Sequence, residues 1–265
     1  MIRSLMKQEV KVNYKLYIVF LSIIAMYAVT LVAMYDPSLK DSLKSLEESM
    51  PVVLAAFGMQ DMGTTLLDFI ITYLYKFVLI VTPFIYSIVM CYRLLAKYVE
   101  NGSLAYLLNS KHGRTKIVIT QWVNLFLGVV VMIAFNTGLM IVCCSMMFKG
   151  ALDIPRFLLL NLGLLALQLF IAAFCFMFAC LFNDVKYSIG CGAGGISLFI
   201  IMQMFFSVYD NAKILLYCNP LSLFNPRQLV NGNIVSVISL VVLLGLTAIF
   251  LTIGLLGFRR KDLPL

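Results

Sequence analysis

Six apolar runs, each close to or beyond the ~18 residues needed to cross a bilayer, constrain this chain more than any motif in it. They cover about residues 16–34, 67–92, 117–145, 157–182, 188–209 and 234–258. Polar stretches between them do not exceed about thirty residues, too few for a separate soluble domain. Of the 265 residues, 62% are hydrophobic and 12% charged, half the ~25% of an average soluble domain. Lipid offers no partner to backbone N–H and C=O groups, and a helix satisfies its own. The reading is therefore an all-α integral membrane protein, one transmembrane domain over residues 1–265 with six transmembrane helices.

The net charge of +8 could suggest a nucleic-acid partner, but its placement argues for topology instead. With the first residues inside, the inner segments hold 13 of the 20 Lys and Arg, the outer segments hold 6, and Lys76 lies within a span. The acids run the other way, four inside and eight outside. This is the positive-inside asymmetry, which puts both termini in the cytoplasm and leaves no basic patch for nucleic acid. The seven cysteines form no C-x-x-C pair, and the single histidine, His112, has no ligand partner at metal spacing. Cys91, Cys175, Cys180 and Cys191 fall in or beside spans as small apolar residues. Cys143, Cys144 and Cys218 lie toward the outer side, where a disulfide stays open.

Arg3, Lys7, Lys11 and Lys15 recur every fourth residue, with Ile2, Leu5, Met6 and Val10 on an apolar side. That pattern predicts either an N-terminal interfacial helix or a plain cytoplasmic anchor for span one. No cleaved signal is expected, because the run 16–34 is long for an h-region and lacks an A-x-A exit. Beyond Asp36-Pro37, Leu39, Leu43 and Leu46 predict an outer amphipathic helix. Pro83 is expected to kink span two. The run from Ile117 reaches Phe148, so span three tilts or protrudes. Asn183-Asp184 marks a tight inner turn. Gly190, Gly192, Gly194 and Gly195 suit close helix approach rather than nucleotide binding, since no strand precedes them. Residues 214–224, with Pro220, are too apolar for an ordinary loop and predict a re-entrant outer segment between spans five and six.

The longest basic interruption is residues 93–116. Asn101-Gly102 breaks it, Ser103 offers a cap, and Leu104, Leu107 and Leu108 recur at helical spacing. Gly113 and Arg114 close it. A basic helix with an apolar face outside the bilayer calls for a soluble partner. The chain itself shows no G-x-x-x-x-G-K-[ST], G-x-S-x-G or H-E-x-x-H pattern. No catalytic residue, cofactor site or metal site is assigned, and His112 is read as a solvated loop residue. Lys76 lies about 13 Å along span two at 1.5 Å per residue; it either lines a pathway or snorkels outward. Asn124 and Gln203 are the other pathway candidates. With Gln121, Asn136, Asn161 and Gln168 they suit interhelical hydrogen bonds.

Glu100, Gly102, Leu104, Leu107, Leu108, Ser110, Arg114 and Thr115 run as E-x-G-x-L-x-x-L-L-x-S-x-x-x-R-T. The chain closes span six with Gly257-Phe258-Arg259-Arg260-Lys261-Asp262-Leu263 and carries Asn219-Pro220 ahead of that span. Together with six spans and both ends inside, this resembles the permease subunit of type-2 ABC transporters. Asn109-Ser110-Lys111-His112 departs from relatives, in which a proline often follows the serine, so the end of the short helix stays open. The resemblance implies a cytoplasmic coupling helix between spans two and three. Glu100, Gly102, Leu104, Leu107, Leu108, Ser110 and Arg114 would engage an ABC ATPase there, with the N-terminal basic helix at the same surface. It implies two permease copies, as homo- or heterodimer, with two ATPase subunits that hold the ATP and Mg. Closure of the ATPase pair would move spans two and five. The implied setting is the plasma membrane of a bacterium, and the implied activity is export of a peptide-like or amphipathic substrate. Polyglycan or teichoic-acid, lipid or drug export, and a non-transporting binding or immunity protein, stand as alternatives. A membrane enzyme would need clustered Asp, Glu, His or Ser at membrane depth, and the sequence offers none.

Overall fold

The computed structural model describes residues 2–36, 49–50, 53, 65–103, 113–208 and 219–260. Among them, six helices are long and apolar enough to cross a membrane. They are α1 (Arg3–Met34), α2 (Leu66–Glu100), α3 (Arg114–Met147), α4 (Ile154–Leu181), α5 (Val185–Val208) and α6 (Ile234–Arg260). Each expected span falls on one of them. The expected outer amphipathic helix and the stretch 104–112 lie outside the described residues.

Two boundaries correct the sequence reading. The N-terminal basic stretch is not a separate interfacial helix but the first turns of α1, which runs unbroken for 32 residues. No Gly or Pro interrupts residues 3–34. Arg3, Lys7, Lys11 and Lys15 are all exposed, while Leu5, Glu9 and Asn13 are buried on the opposite side. Likewise α2 does not stop at Tyr92. It continues to Glu100 through Leu94, Leu95 and Ala96, all buried. These are good helix formers with apolar surface to cover. Gly102 then turns the chain with a left-handed φ of 63°, which a residue without Cβ adopts freely.

Length follows from these extensions. At 1.5 Å per residue, the 32, 35 and 34 residues of α1, α2 and α3 span about 50 Å each, against a hydrocarbon core of ~30 Å. All three carry basic residues at one end: Arg3 and Lys7 on α1, Arg93 and Lys97 on α2, Arg114 and Lys116 on α3. Helix α2 is also irregular. Ile71–Val78 and Tyr92–Ala96 are π-helical, and Pro83 sits inside the α-helical segment between them.

The centre of the bundle is α4. Its most apolar window is 78% buried, against 17% for α5 and for α6, so the latter two pack around it. The sequence of α4 is apolar on all sides, as a central helix must be. Phe174, Phe178 and Phe182 recur at four-residue spacing: Phe174 meets Phe178 edge to face at 5.0 Å, and Phe178 stacks on Phe182 at 5.9 Å. Facing helices come close where they carry glycine. A Cβ on Gly192 would sit 3.3 Å from Cys175 Cα, and one on Gly254 3.1 Å from Met177 Cα. Gly195 fits against the Phe174 ring. Close approach was expected of all four glycines of α5, yet Gly190 and Gly194 have nothing within 4 Å.

Ahead of α6, Asn219 caps a 3-10 turn, Pro220–Leu223, and Asn225 caps a short helix, Pro226–Val230. Each follows the pattern of an Asn cap with Pro at the first helical position. Leu221, Phe224 and Leu229 are buried. Leu229 and Phe224 press on α4 at Gly163, where an added Cβ would meet them at 2.6 and 3.1 Å. The described part of the expected re-entrant segment is thus packed on protein. At the turn between α4 and α5, the Lys186 backbone N–H donates to Asp184 Oδ1 at 2.8 Å. Six cysteines, all those within the described residues, are free thiols.

Candidate functional site

The extended ends of α1, α2 and α3 meet at a buried carboxylate. Glu9 is 3% exposed. It sits on the buried seam of α1 that runs through Leu5, Glu9, Asn13, Phe20 and Ile24 at helical spacing. Its Oε1 accepts from the Tyr98 hydroxyl at 2.7 Å and from Gln121 Nε2 at 3.1 Å. Its Oε2 accepts from Asn13 Nδ2 at 3.2 Å. Asn13 Oδ1 in turn accepts from Arg93 Nη1 at 3.1 Å. About two turns earlier on the chain, the Ile2 backbone N–H donates to Thr120 Oγ1 at 2.9 Å.

These bonds have a specific address. Tyr98 lies in the last turn of α2 and Gln121 in the second turn of α3. Both roots of residues 104–112 are therefore tied to the same side chain of α1. In low-dielectric surroundings, hydrogen bonds to a carboxylate are the stronger kind.

Of the residues singled out in the sequence, Glu100 ends α2 exposed and accepts a long 3.5 Å bond from Tyr92 Oη. Gly102 makes the turn that follows. Arg114 is the first residue of α3, with Gly113 as its N-cap. Glu100, Gly102 and Arg114 thus flank the junction. Leu104, Leu107, Leu108 and Ser110 lie outside the described residues. The Ser103 hydroxyl donates back to the Tyr98 carbonyl at 3.4 Å.

Lys76 sits half-buried in the first π-helical segment of α2, Gln203 is half-buried on α5, and Asn124 is buried on α3. Asn124 lines a cavity beside Glu9, and neither Lys76 nor Gln203 lines it. A second cavity, at the far end of the α1–α2 face, is lined by Met26, Tyr27, Phe69, Tyr73 and Phe77. Of the three pathway candidates, only Asn124 lines one of these two cavities.

Several in-span amides do bridge helices as expected. Tyr75 Oη donates to Asn161 Oδ1 at 2.8 Å, and Gln168 Nε2 donates to the Leu79 and Ile80 carbonyls. Sequence reasoning passed over Glu9, a lone acid among four bases that read as solvated. The signal was its spacing: Leu5, Glu9 and Asn13 continue the buried seam of α1 outward by two turns.

Among the described residues no group of three or more His, Cys, Asp or Glu is placed to hold a metal. No curated protein matches the chain. The sequence profile of the ABC-2 family transporter protein matches residues 5–263, nearly the whole chain. That extent of match on a six-helix apolar bundle means that the chain belongs to the ABC-2 transporter family, as a multi-pass membrane permease of an ABC transporter whose partner is an ABC ATPase.

Proposed function

We propose that this permease exports a peptide-like or amphipathic substrate, driven by ATP hydrolysis on a separate cytoplasmic ATPase. Two permease copies, identical or paired with a second chain, work with two ATPase copies that hold the ATP and Mg. The basic end of the bundle is cytoplasmic, following the charge bias, and the membrane is a bacterial plasma membrane. Residues 104–112 carry the coupling helix, with Leu104, Leu107 and Leu108 in an ATPase groove. Glu100, Gly102, Ser110 and Arg114 frame it. Lys76, Asn124 and Gln203 are proposed pathway contacts.

The observation that supports this reading best is the Glu9 junction. A push on residues 104–112 acts on Tyr98 and Gln121, and both donate to Glu9. Helices α1, α2 and α3 then respond as one body rather than as three independent rods. A rigid joint at the root of a coupling helix converts ATPase closure into helix movement instead of loop bending.

Inverted membrane vesicles holding the permease with its ATPase test the proposal. The expected result is ATP-dependent uptake of a labelled amphipathic peptide, abolished by a non-hydrolysable ATP analogue. Glu9→Gln is expected to lower uptake several-fold while the ATPase still co-purifies. Uptake that proceeds equally without ATP would overturn the exporter reading.

A further inference from the structure

A cavity of about 280 Å³ lies between α1, α2 and α3, next to the Glu9 junction. Glu9 and Asn124 form its polar end, Tyr17 and Tyr86 stand in its wall, and Ile18 and Val131 edge its open side. Ile18 and Val131 are exposed, so the cavity opens sideways on the apolar surface of the bundle rather than into the core.

Two independent observations at the polar end point to a ligand. Glu9 is buried, its three donors are neutral, and among the described residues it has no ion-pair partner. The basic group of the junction, Arg93, donates to Asn13 instead. Buried carboxylates ordinarily face a cation. Second, Asn124 is 7% exposed and its Nδ2 has no hydrogen-bond partner among the described residues, although buried amide groups are ordinarily satisfied. Both side chains line the same cavity. Its complement is a cation beside an acceptor oxygen, on an apolar tail.

We propose that this cavity binds a single-chain amphiphile with a cationic amine head and an adjacent hydroxyl. The ammonium faces Glu9 and the tyrosine rings, whose faces attract cations. The Asn124 amide, whose Nδ2 is closed off from the cavity as it stands, turns to donate to the hydroxyl oxygen, and the chain leaves past Ile18 and Val131. The volume sits just below the ~300–1,000 Å³ of small-molecule pockets, enough for one head and the start of one chain. The proposal deepens the exporter reading, in which Asn124 is a pathway contact, but its test stands apart, since binding is measured on the permease without ATP or ATPase.

Native mass spectrometry of the full chain in detergent tests it with two probes, 2-aminododecan-1-ol and its neutral counterpart dodecane-1,2-diol. The amine is expected to bind saturably, one per chain, at least tenfold tighter than the diol. Glu9→Gln should bring the amine to the level of the diol. Because that variant also loosens the junction, Val131→Trp provides a second arm: it fills the open side without touching the polar end and should abolish saturable binding. Equal binding of amine and diol by the unmodified chain, or unchanged binding by Val131→Trp, would overturn the proposal. Displacement of the amine by equimolar phosphatidylethanolamine would also overturn it, in favour of a two-chain aminolipid.

Discussion

Gln168 repairs the backbone gap that Pro83 makes. Proline has no N–H, so in α2 the carbonyl four residues earlier, that of Leu79, loses its helical donor. Gln168 Nε2 on α4 donates to that carbonyl at 2.7 Å and to Ile80 O at 3.1 Å. The proline gap in α2 and the central helix are thus matched to each other. Hydrogen bonds between membrane helices are worth about 0.6 kcal/mol on average and up to ~1.7. Gln168→Leu is expected to destabilise the bundle by about 1 kcal/mol in mixed-micelle unfolding. In a Pro83→Ala background, where the backbone N–H returns, the same change should cost clearly less. Equal costs in both backgrounds would show that the two residues are not coupled.

Tyr86 is pressed against the backbone of α3. A Cβ on Gly128 would fall 2.1 Å from Tyr86 Oη, and the Tyr17 hydroxyl donates to the Gly128 carbonyl. The rings of Tyr17 and Tyr86 meet edge to face at 5.6 Å. Gly128→Ala therefore overpacks the α1–α2–α3 seam, at a cost of about 1–3 kcal/mol. Tyr86→Phe removes the nearest atom and is expected to recover part of that loss. Unfolding midpoints of the single and double variants check the pair.

Asn136 runs against the usual rule for buried amides. It is fully buried on α3, and neither Oδ1 nor Nδ2 has a hydrogen-bond partner among the described residues. An unsatisfied buried polar group costs about 1–3 kcal/mol. Asn136→Leu is expected to leave stability unchanged or raise it by up to about 1 kcal/mol, whereas Asn161→Leu, which removes the acceptor of Tyr75, should lower it. Parallel unfolding curves decide the contrast.

The Glu9 carboxylate is the acceptor for three side chains, and removing it strands two of their donors. Glu9→Ala leaves Tyr98 and Gln121 short of an acceptor, while Asn13 Nδ2 keeps the Glu9 backbone carbonyl at 2.9 Å. The expected loss is at least about 2 kcal/mol, since each buried unpaired donor costs about 1–3 kcal/mol. Glu9→Gln retains an acceptor oxygen and should lose about half as much. Hydrogen exchange at the end of α2 and the start of α3 should rise in both variants.

The spans were legible because crossing a bilayer imposes long apolar runs, which composition alone displays. The turn at Asn183-Asp184 was legible for a similar local reason. What was not legible depended on partners far along the chain. Gln168 and Leu79 are 89 positions apart, and nothing local tells which carbonyl an in-span glutamine will serve. Glu9 went unread among its basic sequence neighbours, yet the helix turns it inward while Lys7 and Lys11 face out. Residues 93–100 read as the start of a polar loop for their charges, but Leu94, Leu95 and Ala96 pack inward and prolong α2.

The central claim is that residues 104–112 dock on an ATPase and pass its motion to the junction at Glu9. Leu107 is the residue on which this turns. Burying one leucine side chain is worth roughly 1.5–3 kcal/mol, and ~1.4 kcal/mol is tenfold in affinity. A charge there removes the gain and adds an unpaired buried carboxylate. The direct measurement is recovery of the ATPase with affinity-purified Leu107→Asp permease, at equal amounts of permease in the membrane. The account predicts at least a tenfold fall in bound ATPase with normal membrane insertion. Full recovery of the ATPase together with normal transport would contradict it.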